Sequence, residues 1–433
     1  MRDSETLTCE LLIIGTGMAG MAAGLFAANR GLSVVQVGSA GAIGFASGFL
    51  DLLGVHPISE NRVRKNPWRG IISLVRDNPR HPYARVREAD IRAAFDEVLS
   101  FLADRGVPYF RREESNLTAL TPAGTVKNTY CVPVTMRGGI EALEEKPPCL
   151  LVDINGLKGF SARQIMAVHH EAWPGLRTAF VDFPGSDRFG DIYTERIAMS
   201  LEAPQNREPF ARNLMPYIKD ARVVGLPAAL GIYRTAEIVS DIEKIIGVPV
   251  FELPTLPPSV PGMRIKAVFE QGIREKGVRL FMQKRVVAVK PSTDECFVSR
   301  IGNPHIDNRP GETIVRSRGI ILASGRFLAG GLHAGRQGVR ETILNLRVFH
   351  PENRKDWHRD DFLDPRGHPI NRAGLEIDDE FRVVDAAGRP IFPGLFAAGS
   401  ILAHHDWMRM HCGSGLAIVT ALGAVRAFIR RFR

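Results

Sequence analysis

The sequence predicts an α/β protein: one large parallel-sheet domain in two sequence pieces, with a smaller α/β domain inserted between them. Three observations carry this. The chain opens with a strand, a glycine turn, a helix and a second strand, a unit long enough for parallel pairing. From about residue 147 a separate alternation of strands and helices begins. Near the end another apolar strand runs through glycines into a helix. The expected boundaries are 1–146 and 257–433 for the large domain and 147–256 for the insertion.

At 433 residues the chain is long for one compact domain. Its 45% apolar and 24% charged content suits a protein with a sizeable core. Lys and Arg outnumber Asp and Glu by 56 to 47. That surplus suits anionic small molecules or an anionic membrane face. The basic residues are scattered and not interleaved with aromatics, which argues against nucleic acid. Five cysteines, at 9, 131, 149, 296 and 412, contain no CxxC pair, so neither a zinc ribbon nor an iron–sulfur cluster is expected, and a reducing compartment fits. The first apolar run follows a flank with three acids and one Arg, the wrong charge for a signal peptide. No other run is read as long enough to span a membrane.

In order, the elements are a strand over Cys9–Ile14, a turn over Gly15–Gly20, a helix over Met21–Asn29 closed by Gly31, and a strand over Leu32–Val37. A helix follows over Ile91–Arg105, then a β-rich patch through Cys131. The insertion reads CLLVDI, RTAFVDF, ARVVGL and VPVFEL as strands, with SARQIMAVHHEAW and AEIVSDIEKII as helices. ELPTLPPSVPG, four prolines in eleven residues, is a stiff re-entry segment. MRIKAVFEQGIREKG is then helical, and RLFM, VVAV, FVSRI and VRSRGIILASG are strands.

Gly15, Gly17 and Gly20 form G-x-G-x-x-G between a strand and a helix, with Gly24 four residues on. The spacing allows a tight turn, backbone approach to a phosphate and close helix–strand packing, so it predicts nucleotide or flavin binding in a Rossmann-like domain. The helix N-terminus offers N–H groups to the anion. A dinucleotide site usually ends the second strand with an acid for the ribose; here that place falls to Gly38, with Gln36 the nearest polar side chain. Either the ribose is held differently or no adenosine is present. Ala46, Ser47 and Gly48 would let backbone approach a flat ring, or simply form a compact loop. Gly325 follows another buried strand, and Arg326 after it could face an anion.

LFAAGSILAHHDWMRMHCGSGLA places three histidines and a cysteine within nine positions. His404 and His411 have irregular spacing for zinc, and Arg409 between them repels a cation. No metal site is expected. A second strand–glycine–helix unit, with Gly399, Ser400, Gly413, Ser414 and Gly415, fits better. His405 and His411 then stand where the reactive end of a cofactor would lie, as proton acceptors or as structural histidines. Should substrate be oxidised here, a phosphate would need cations, for which Arg264, Arg326 and Arg409 are candidates.

Six ordered blocks, GTGMAG, ASGFLDLLGVHP, TPAGTVKNT, LPTLPPSVPGMR, ILASGRFLAGGL and LFAAGS…CGSGLAIVTALGA, resemble the B subunit of bacterial anaerobic glycerol-3-phosphate dehydrogenase. More distantly, the first and last blocks resemble the flavoprotein fold of fumarate reductase and succinate dehydrogenase. The resemblance implies a flavin, FMN favoured over FAD, in a subunit of a respiratory complex that oxidises glycerol 3-phosphate to dihydroxyacetone phosphate. It further implies a sister flavin subunit, an iron–sulfur membrane-anchor subunit, electrons reaching the quinone pool, and a peripheral place on the cytoplasmic face of the inner membrane. By the same resemblance Ala46, Ser47, Gly48, Gly413, Ser414 and Gly415 lie near the flavin. Ser400 replaces the acid that usually holds the ribityl chain. A self-sufficient fumarate-reductase-like enzyme and a non-catalytic flavin relay or scaffold are the alternatives.

Overall fold

The computed structural model describes residues 5–39, 41–185, 190–292, 296–302 and 313–433. It has the expected α/β architecture, divided into two compact units. The first comprises Met1–Ala42, Asp51–Val98 and Phe269–Arg433; the second, Ile43–Leu50 and Leu99–Val268. The expected insertion, 147–256, lies inside the second unit, which also takes in the β-rich patch before it and the segment 43–50.

The first unit is built on a seven-stranded sheet. Its parallel part runs Arg279–Met282, Val34–Gly38, Thr6–Ile14, Thr313–Leu322 and Leu395–Ala397. Leu11, Leu12 and Ile13 are completely buried, the run of apolar residues that a parallel strand covered on both faces requires. Thr313–Leu322 is long enough to serve two neighbours along one edge. Its first half pairs antiparallel with Phe297–Gly302, which pairs in turn with Arg285–Pro291. Its last three residues pair with Leu395–Ala397.

The helix Met18–Asn29 is buried along most of its length and packs against Gly413–Phe432, the last helix. That last helix has the twenty residues and the apolar composition to cross a membrane, which corrects the reading that no such run exists beyond the first. Two-thirds of its apolar window is buried inside the chain, as in a core helix.

The second unit carries a four-stranded parallel sheet, ordered Val250–Leu253, Val223–Pro227, Cys149–Ile154 and Leu176–Val181. All four strands stand where the apolar runs predict them. Two of its helices, Thr194–Leu201 and Arg207–Ile218, have no counterpart in the sequence reading. Pro216 inside the latter, and PQN between the two, interrupt the helical pattern.

Candidate functional site

Three neighbouring parallel strands of the first unit end in register. Ile14 pairs with Leu322, and Leu322 with Ala397. The residues that follow, Gly15, Ala323 and Ala398, are therefore drawn side by side, with Ala323 N–H donating to Ile14 O and Ala398 N–H to Leu322 O. This is the carboxyl edge of the sheet, where open α/β folds bind ligands. Gly15 has φ +134°, and a Cβ there would fall 2.1 Å from the Ala323 carbonyl oxygen, so only glycine fits. Around Gly17, by contrast, a Cβ would meet nothing within 4 Å. Gly17 caps the helix Met18–Asn29, which has no side-chain cap, so no capping side chain satisfies its first-turn N–H groups.

The sequence leaves two options at the end of the second strand. A Cβ on Gly38 would lie 2.4 Å from Thr16 Oγ1, so Thr16 occupies the space an acidic side chain would need. Gln36 does not replace that acid. It is fully buried, its Nε2 donates to the Gly15 carbonyl at 2.9 Å, and it braces the turn from beneath.

Across the sheet edge, Ser324 and Gly325 follow the second of the three strand ends, and Gly399 and Ser400 follow the third. A Cβ on Gly325 would lie 3.7 Å from Ser400 Oγ, which makes these residues neighbours. Gly399 N–H donates to the buried hydroxyl of Thr420 at 2.8 Å, fixing this turn to the last helix. Ser324 follows the strand that the sequence places at a ligand crossing, whereas Thr420 and Thr16 carry no signal there, since a lone hydroxyl among apolar residues has no periodicity.

The histidine-rich stretch separates into distinct environments. Arg326 Nη2 approaches His405 Nε2 to 3.0 Å and also donates to the carbonyls of Leu402 and His405, while Nη1 donates to the Asn371 carbonyl. A guanidinium only donates, so in this contact His405 Nε2 is on the acceptor side. Burial, reinforced by Arg326, holds His405 well below the usual histidine range. Burial also brings Arg326 down to about 10, so it stays charged at neutral pH. His81, unremarked in the sequence, packs edge-on against His405 and is lowered to about 3 by burial. His404 turns away to Glu376, 3.0 Å distant. His404 and His411 both hold left-handed backbones, φ 68° and 49°, which cost a non-glycine residue about 1 kcal/mol or more. Arg409 is about a third exposed, its Nε 3.8 Å from Asp406 Oδ2.

Ser414 and Gly415 tie the N-terminus of the last helix to Asp51: Asp51 N–H donates to Ser414 Oγ at 2.6 Å, and Gly415 N–H donates to the Asp51 carbonyl at 2.7 Å. A Cβ on Gly413 would meet the Trp407 ring at 2.8 Å. These residues shape the loop and leave the N–H groups of Gly413 and Ser414 as that helix's contribution.

In the second unit, Gly48 is held by Tyr109, whose hydroxyl donates to its carbonyl at 2.7 Å. Ala46 and Ser47 sit in the same clamped loop, with the Phe49 N–H directed at Ser47 Oγ. Arg264, expected as a substrate cation, is 3% exposed and forms a bidentate pair with the buried Glu252 at 2.6 and 2.7 Å. Its charge is matched within that unit, so it has no capacity left for a phosphate.

Two buried hydroxyls at adjacent strand ends, Thr16 Oγ1 and Ser324 Oγ, have no partner among the described residues. With the open cradle at Gly17 they fit a phosphate-bearing, hydroxyl-rich cofactor. No group of three His, Cys, Asp or Glu side chains among the described residues is placed to hold a metal ion.

Comparison with known proteins gives the same picture. The family described as FAD binding domain matches residues 10–416. The B subunit of the anaerobic glycerol-3-phosphate dehydrogenase of Yersinia pseudotuberculosis is 27% identical, covering 95% of this chain and 96% of its own. That of Pectobacterium atrosepticum is 28% identical, covering 97% and 98%. The resemblance read from the six blocks is thus borne out, and the cofactor is a flavin. Among solved structures, 3-ketosteroid Δ1-dehydrogenase from Sterolibacterium denitrificans is 11% identical, with a TM-score of 0.44 over 98% of this chain and all of its own. The open conformation of a flavocytochrome c3 fumarate reductase is 10% identical, also with 0.44, over 98% of this chain and 78% of its own.

Proposed function

The chain belongs to the FAD binding domain family, and from that premise we propose that it is the flavoprotein subunit of a respiratory glycerol-3-phosphate dehydrogenase. The observation that carries this is the phosphate cradle at Gly17, in a chain alike along almost its whole length to relatives named as the B subunit of that enzyme. A bound flavin supplies two-electron oxidation of an alcohol to a ketone, with electrons leaving singly. In this reading they pass through iron–sulfur clusters of a partner to quinone, at the cytoplasmic face of the membrane.

The chain's own residues have these proposed roles. Gly15 and Gly20 close the turn, and Gly17 with the first helix receives the flavin phosphate. Thr16, Ser324 and Ser400 offer neutral hydrogen bonds to the polyol chain, with Gly325 and Gly399 making room. Gly413, Ser414 and Gly415 border the ring. The closure of Gly38 by Thr16 supports FMN, since no acid can reach an adenosine ribose from that position. His411, held in a left-handed turn, takes the substrate hydroxyl proton, and Arg409 meets the phosphate. Arg326 and His405 are positioning residues that fix the 371 and 402–405 backbones.

One observation favours a relay that oxidises no substrate itself: of three expected phosphate cations, Arg264 and Arg326 are engaged internally. Turnover by the assembled complex carrying His411→Ala or Arg409→Ala decides between the two. A loss of about tenfold or more in kcat/KM, with flavin retained, supports oxidation here. Unchanged turnover in both variants rejects it and leaves the relay.

A further inference from the structure

A cavity of about 990 Å³ in the first unit is lined by seven arginines against three acids, Glu352, Glu376 and Asp385. Three of the arginines, Arg340, Arg347 and Arg372, have no acidic or hydrogen-bonding side-chain partner among the described residues. The fold even sets two of them against each other. Arg340 and Arg347 are directly opposed across an antiparallel bridge, and His333 faces Arg340 from the other side. Like charges placed so are destabilising unless something anionic lies over them.

Beside the cavity the turn 359–368 displays two large apolar side chains, Phe362 and Leu363, 82% and 75% exposed. The turn is rigid. Asp364 binds Arg366 through two contacts of 2.6 and 2.9 Å, Arg359 N–H donates to His368 Nδ1, and Arg359 Nε donates to the Gly367 carbonyl. It rests on the site itself, because a Cβ on Gly367 would fall 2.7 Å from Asp406 Oδ2 and 2.8 Å from Arg409 Cδ. A pair of exposed apolar side chains on a braced turn, beside unneutralised charge, has the anatomy of a protein interface.

We propose that this cavity and the Phe362–Leu363 turn form the docking face for a partner protein of the same assembly, which inserts an acidic segment among Arg340, Arg347 and Arg372 and receives Phe362 and Leu363 in an apolar pocket. A small phosphorylated ligand would satisfy the arginines and leave the apolar pair unexplained. A protein partner accounts for both. The proposal rests on reading the chain as one subunit of a larger assembly.

The test uses the full chain, tagged and co-expressed with the partner flavin and iron–sulfur subunits. Two variants are compared with wild type: Arg340→Glu/Arg347→Glu and Phe362→Ser/Leu363→Ser. All four positions are exposed, so flavin content and melting temperature should stay at wild-type values. The expected result is a drop of at least tenfold in partner affinity for each variant, with salt weakening the wild-type complex as well. Undiminished assembly by both variants overturns the docking face and leaves the subunit reading standing. Loss only in the arginine variant, together with wild-type binding of pyrophosphate or anionic vesicles abolished by it, also overturns the face. A wild-type chain that holds flavin but retains no partner overturns the face and the subunit reading together.

Discussion

A Cβ placed on Gly38 would lie 2.4 Å from Oγ1 of Thr16, so the end of the second strand admits no side chain while Thr16 keeps its position. The acid that would hold an adenosine ribose is not merely replaced; its space is filled. The chain should therefore release FMN on denaturation. In the double variant Thr16→Gly/Gly38→Glu the two side-chain obstacles are removed and a carboxylate is supplied, while the backbone nitrogen of residue 16, 2.8 Å from the new Cβ, has to shift. Its preference for FAD over FMN should rise by roughly tenfold or more, the worth of one charge-assisted hydrogen bond of about 1.5–3 kcal/mol. Titration of the deflavinated protein with each cofactor reads this directly, and an unchanged ratio refutes the account of Gly38.

Arg326 holds three carbonyls of the 371 and 402–405 segments and contacts His405. Lysine presents a single ammonium and cannot reproduce that fork. Arg326→Lys should cost about 2–4 kcal/mol of stability, measured by chemical denaturation, because buried carbonyls lose their donors. His405→Ala should lower kcat with little effect on KM, the pattern of a residue that positions others.

His81 and His405 make stability depend on acidity. Burial holds both below the ordinary histidine value of 6.5, so the unfolded chain binds protons that the folded chain refuses. The stability they permit is intact above about pH 6.5 and falls as pH drops below it, until His81 itself protonates near 3. Each histidine contributes a slope of up to about 1.4 kcal/mol per pH unit. Denaturation midpoints between pH 7 and 4 should show this decline, reduced in His81→Asn, whose side-chain oxygen can still accept the Tyr83 N–H that His81 Nδ1 accepts now.

Within the second unit, Glu252 is pulled in opposite directions by burial, which raises its pKa, and by Arg264, whose charge and hydrogen bonds win and keep it ionised. Glu252→Gln would leave the Arg264 charge buried without a counter-ion. The expected loss is about 3–5 kcal/mol, read as a lower denaturation midpoint. A loss below about 1 kcal/mol would mean the pair is not the anchor its geometry indicates.

The strands and the glycine turns were legible in the sequence because burial on both faces writes itself as unbroken apolar runs, as in Leu11–Ile14, and because Gly15 and Gly399 answer to positive φ and close neighbours. Helices were legible where periodicity was clear, as in Thr235–Ile246. They were illegible where a proline sits inside one, as at Pro216. At the site, residue type suggested chemistry but could not reveal partners. Arg264 and Arg326 look alike as candidate phosphate cations, yet the first is neutralised by Glu252 and the second braces carbonyls. Thr16 and His81 matter through long-range neighbours, which spacing along the chain does not encode.

The most direct measurement is glycerol-3-phosphate-dependent quinone reduction by the complex carrying Gly17→Leu. A side chain there meets no atom of the chain within 4 Å of its Cβ, so it fills the phosphate cradle at a cost to the helix of only about 1 kcal/mol. Gly15→Ala, 2.1 Å from the Ala323 oxygen, should instead unfold the turn. The account predicts that the Gly17→Leu chain folds and assembles, loses its flavin, and lowers activity at least tenfold. Full activity from a complex whose variant chain carries no flavin would contradict it.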